Sequence, residues 1–238
     1  MLDRKQLSLA VAHADVAAGM VSFHGSADYF QTGELDRRDW KDVRSLTQVD
    51  EPLTLAERAF VVIEGDVLAD VTVPHDGMVV VYGDVHSSIQ INGHGELIIA
   101  GDVREGACIS SDGIFRVFVG GDMAGSLRNR GSCTAWIEGH LRGPLWTGHP
   151  SMHLHVRGDC TATIRPNEEP ALLFMVVGGY MAYASLEATA AVGYTEFDAS
   201  IGTSDRPAGI YPDKTTYNAL RQHRSYNRWV IREVPGQR

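Results

Sequence analysis

The phrase Gly65-Asp66-Val67 returns as Gly83-Asp84-Val85 and Gly101-Asp102-Val103, and in looser form as Gly121-Asp122-Met123, Gly139-His140-Leu141, Gly158-Asp159-Cys160 and Gly179-Tyr180-Met181. The spacings are 18, 18, 20, 18, 19 and 21 residues, too short for paired-helix repeats and suited to one coil of a β-solenoid. A finer rhythm runs inside it, for Val67, Val73, Val79, Val85, Ile91, Leu97, Val103, Ile109 and Phe115 fall six apart. Three sixes make one coil. That arithmetic predicts a triangular winding, each side a short strand aiming a side chain at the axis and each corner turned by Gly, Asp, Asn or Ser.

The segments FVVIEGDVLADVTVPHDG, MVVVYGDVHSSIQINGHG and ELIIAGDVREGACISSDG align almost residue for residue, each closing at Gly77, Gly95 or Gly113. Glycine suits such corners where φ is positive. The next coil keeps the pattern with an insertion. SCTAWIEGHLRGPLWTGHPS, with Pro144, Trp146, His149 and Pro150, is expected to bulge from the regular surface. The organisation read from this is a single domain: an N-terminal cap over residues 1–59, an all-β parallel solenoid of about seven coils over 60–185, and a C-terminal cap over 186–238. Both caps are expected to mix helical and irregular pieces, because an open solenoid end exposes an apolar axis and unpaired strand edges.

Within the caps, Leu7, Leu9, Val11, Ala14 and Val16 fit a helix over 5–18, while alternation across the first three also allows a strand,. Residues 35–43 read as a charged helix burying Trp40 and Val43, and Thr54-Leu55-Ala56-Glu57 has capping-box spacing,. Pro212-Asp213 marks a helix start and residues 228–234 alternate as a final strand,.

The formal charge of −9 argues against nucleic acid or an anionic membrane as a direct partner and makes a basic protein the natural complement. No apolar run reaches the 18 residues that a spanning helix needs,. The alanine-rich N-terminus is too polar for a secretory signal, and Cys108, Cys133 and Cys160 are an odd number at different places in their coils. Reduced thiols in a cytoplasmic protein are the expectation.

Stacked in register, Asp66, Asp84, Asp102, Asp122 and Asp159 form a column of carboxylates. Aspartate beside glycine commonly bonds turn amides, and that structural role is the favoured reading over a cation site or an anionic face. His153 and His155 share a strand face, with His140 a coil away, but an HxH pair alone does not make a zinc site, and no metal or cofactor is expected. No GxSxG, GxxxxGK[ST], HExxH or CxxC pattern occurs,, so no catalytic residues are assigned. Hexapeptide acyltransferases also wind on sixes, yet Leu68, Pro74, Val80 and His86 stand where that family prefers small polar residues. Trp146 is either folded back over its coil or displayed as a binding anchor.

The run IEGDVLADVTVPHDGMVVVYGDVHSSIQINGHGELIIAGDV resembles the bactofilins over roughly half the chain. The resemblance implies a right-handed, three-sided β-helix. Bactofilins polymerise through bare helix ends, whereas this chain carries some 55 residues of structured-looking sequence on either side, which leaves the lateral faces for binding. In general character the chain is also similar to bacterial immunity proteins. The leading expectation is thus a non-enzymatic solenoid, a monomer or small homo-oligomer, that binds and neutralises a toxin domain, for example a basic nuclease. Trp146 and His149 are the candidate anchors, and Asp122 and Glu138 the acidic contacts. A filament-forming scaffold is the second reading and a hexapeptide-type acyltransferase the third.

Overall fold

The computed structural model describes residues 40–147, 151–166, 172–177, 190–195 and 209–211. Ten strands, Asp42–Leu46, Ala59–Ile63, Gly77–Val81, Gly95–Ile99, Phe115–Val119, Cys133–Ile137, Ser151–Val156, Leu172–Val177, Ala190–Thr195 and Gly209–Tyr211, stack in chain order into one parallel sheet, the long side. Leu53–Thr54, Val71–Val73, Ile89–Ile91, Cys108–Ser111, Ser126–Asn129, Leu145–Thr147 and Ile164–Pro166 form a second parallel sheet, the short side. Between them Val49, Val67, Val85, Val103, Met123, Leu141 and Cys160 join through six successive parallel bridges, the third side. This is a parallel β-solenoid with three sides. All nine residues of the six-residue rhythm are 0% exposed, because the period fixes which side chains reach the axis.

One coil shows the packing rule. Ala59, Val61 and Ile63 point inward from the long side, Val67 from the bridge, and Val71 and Val73 from the short side, all buried. Gly77 and Gly95 owe their place to crowding: a Cβ there would come within 2.6 Å of Val73 Cγ1 or 2.5 Å of Ile91 Cγ2. Their φ is not positive; among the described residues Gly93 and Gly106 have that conformation, with Arg58 and Asp76. Two coils on, the volume is traded. Ser111 and Asn129 replace the β-branched residue, and Phe115 and Cys133 replace the glycine. Close packing requires such compensation.

Three expectations are corrected by the pairing. Residues 42–46 form a strand on Ala59–Ile63 and not the end of a charged helix, so Val43 is 66% exposed. Leu53–Thr54 is likewise a strand, paired with Val71–Thr72, where a capping box was expected. No helix occurs among the described residues. Backbone bonding to the adjacent coil satisfies these groups more completely than a short isolated helix would. Third, Pro144 and Trp146 do not bulge: Leu145–Thr147 keeps register with Leu127–Arg128 on one side and Ile164–Pro166 on the other. The insertion expected in the fourth coil sits in the Arg104–Ala107 turn, since Val85 pairs with Val103 but Ile89 with Ile109. The elements expected at 5–18, 212–220 and 228–234 lie outside the described residues.

Candidate functional site

At the corner between the long side and the bridges, each aspartate reaches across the glycine of the next coil to bond the amide beyond it. The Asp84 N–H donates to Asp66 Oδ1 at 2.8 Å, Asp102 N–H to Asp84 Oδ1 at 2.9 Å, Asp122 N–H to Asp102 Oδ1 at 2.8 Å and His140 N–H to Asp122 Oδ1 at 2.8 Å. His140 continues the series with a nitrogen: its Nδ1 accepts the Asp159 N–H at 2.9 Å. The glycines are required because a Cβ on Gly139 would lie 2.5 Å from Asp122 Oδ1. The second carboxylate oxygens meet arginine, Arg104 with Asp84 and Asp102, and Arg142 with Asp122 at 3.1 Å. Burial opposes ionisation of Asp84, yet the Asp102 amide and the Arg104 guanidinium outweigh it and hold its pKa below the usual carboxylate range. The column is a structural ladder with its charge largely answered in place. Among the described residues no group of three His, Cys, Asp or Glu side chains is arranged to hold a metal.

The four candidate contact residues do not form one cluster. Asp122 is a rung of this ladder. Glu138 stands at the same corner one coil later and is also engaged, accepting from Trp136 Nε1 at 2.8 Å and Arg157 Nη1 at 2.7 Å. Trp146 is on the short side. His149 lies outside the described residues. His155 stacks on Trp136 with centroids 3.6 Å apart on the outer long side, away from the His140 corner.

Sequence reasoning missed what surrounds Trp146. Outward positions of the short strands stack as Thr72, Gln90, Ser110, Arg128 and Trp146. The Arg128 guanidinium carbon lies 4.4 Å from the Trp146 ring centroid, an attraction worth about 0.5–1 kcal/mol at such a site. Together with Asn92, Ser111, Asp112 and Arg130, the residues from Gln90 to Trp146 line a shallow recess of about 470 Å³. The signal was available: Trp146 is Arg128 plus one period. A second missed feature is electrostatic. Residues 59–103 contain Glu64, Asp66, Asp70, Asp76, Asp84, Glu96 and Asp102 but no Lys or Arg, so this stretch is acidic and the arginines resume at Arg104.

No family model, curated protein or solved structure matches this chain. The reading of the site therefore rests on its own geometry. Burial pushes the Cys133 thiol up to about 12 and the Cys160 thiol to about 11, so neither supplies thiolate at neutral pH. No helix of the described residues is long and apolar enough to cross a membrane.

Proposed function

We propose that the chain is a non-catalytic protein-binding solenoid that holds one folded partner on its short side, in its most concrete form an immunity protein that occludes a toxin domain. The observation that carries this is the Arg128–Trp146 recess. A half-buried tryptophan under a guanidinium, ringed by the amides of Gln90 and Asn92 and the hydroxyl of Ser110, has the residue types that dominate binding hot spots,. The partner would set carboxylates against Arg128 and Arg130 and its basic surface against the acidic coils of residues 59–103.

The first coil favours lateral binding over end-to-end polymerisation. Asp42 and Arg44 stand in the inward columns of Ala59 and Val61 and pair with each other at 2.7 Å. The Arg44 hydrogen bond lowers the Asp42 pKa. Stacking another solenoid on this edge would bury that charged pair, the means by which native sheets protect an edge.

Affinity capture from the native lysate tests the proposal. Wild type is expected to retain one stoichiometric partner, and Trp146→Ala with Arg128→Glu to lose it while thermal unfolding changes little. Capture unaffected by both substitutions, or no partner, would overturn it; filaments visible by electron microscopy would favour the scaffold instead.

A further inference from the structure

Two arginines on the short side have their charge unanswered. Arg44, Arg104, Arg142 and Arg157 each meet a carboxylate of their own chain. Arg128 and Arg130 are exposed, and among the described residues no carboxylate pairs with either. In a chain of formal charge −9 they are a local reversal of sign inside the short-side recess. We propose that these two guanidinium groups take two carboxylates, at alternate positions of an extended acidic segment of the partner. The proposal rests on the lateral-docking reading above and names the chemistry of the partner's anchor.

The backbone sets the spacing. Leu127 and Asn129 point inward, 0% and 1% exposed, so Arg128 and Arg130, which alternate with them, face out together about 6.6 Å apart along the chain. An extended segment repeats its side chains on one face at that same interval, which brings one carboxylate to each guanidinium. Arg128 is already held for this. Its guanidinium carbon lies 4.4 Å from the Trp146 ring centroid, so less side-chain freedom is lost when an anion binds. Asp112 favours carboxylates over a more highly charged anion. It follows Ser111 as Arg130 follows Asn129, and Ser111 and Asn129 are register partners, so it stands one coil from Arg130 in the same recess. Its Oδ1 accepts the Gly93 N–H at 2.7 Å, which fixes it there, and it repels phosphate more than a singly charged group. Asn92 and Ser110 add neutral donors for the backbone carbonyls of the segment,.

Side-chain NMR of the intact chain tests this. Titration with a Gly-Glu-Ser-Glu-Gly peptide blocked at both ends is expected to shift the Nε–Hε signals of Arg128 and Arg130 together and to leave those of Arg104 and Arg142 in place. A peptide of equal charge with its glutamates set four residues apart is expected to bind several-fold more weakly. No shift at millimolar peptide, equal binding of the two peptides, or tighter binding of inorganic phosphate would overturn the proposal. Arg130→Gln is expected to weaken the first peptide several-fold and to release the partner in affinity capture, while thermal unfolding changes little. A partner retained by Arg130→Gln would overturn the acidic anchor and leave lateral docking standing; a bound peptide with no partner captured would overturn lateral docking alone.

Discussion

The long and short sides of this solenoid share one inward pattern and differ in what they turn outward. On the long side Val80, Ile98, Phe118 and Trp136 face out and are buried. On the short side Gln90, Ser110, Arg128 and Trp146 face out around an open recess. The coil fixes the fold through residues at the axis, and the alternate residues are left to decide how apolar or polar each outer side is. A single substitution in an outward column should therefore cost far more on the long side than on the short side.

The largest effect is expected from placing a carboxylate in each column. Phe118→Asp buries an unpaired charge and should lower stability by on the order of 4 kcal/mol or prevent folding. Arg128→Asp loses the contact with Trp146 and should cost about 0.5–1 kcal/mol. Urea denaturation measures both, and equal small losses would mean that Phe118 is not buried. An intermediate effect is expected on the third side. Asp84→Asn keeps an acceptor for the Asp102 amide but loses the charge that Arg104 meets, at a cost of about 1 kcal/mol near neutral pH. Because the folded Asp84 pKa is depressed, its contribution is fully present above the unfolded value of ~3.9 and is lost as pH falls through the lower folded value. The gap between wild type and Asp84→Asn in thermal unfolding should close as pH drops below that range; a gap independent of pH would contradict the ladder. The smallest effect is chemical. Cys108, half-buried on the short side, should react with a thiol reagent in the native protein, while buried Cys133 and Cys160 should wait for denaturant. Three native-state adducts would show the core to be open.

What the sequence made legible was whatever its period controls. The axis residues from Val67 to Phe115 were readable because one residue in six had to be apolar, and the aspartate column because Gly-Asp recurs at the coil length. The first coil was hidden. Asp42 pairs with Ala59, one residue short of the period, and the charged Asp42 and Arg44 occupy columns that are apolar in every later described coil, so the segment resembles a surface helix. The glycines at 77 and 95 were placed correctly but for another reason: the neighbouring Val73 and Ile91 crowd out a side chain. Of the candidate contacts, Asp122 and Glu138 proved engaged within the fold, which depends on partners a coil away. The Arg128–Trp146 pair and the outward stripe also recur at the coil length but were not legible, because the period constrains only the inward column to be apolar and leaves the residue types of an outward column free.

Hydroxyl-radical footprinting of the intact chain compares the two sides most directly. Trp146 and Arg128 are expected to be labelled, and Met78, Phe118 and Trp136 to be protected several-fold relative to their labelling in denaturant. Labelling of Trp136 as strong as that of Trp146 would contradict the contrast between a buried outward column on the long side and an open recess on the short side.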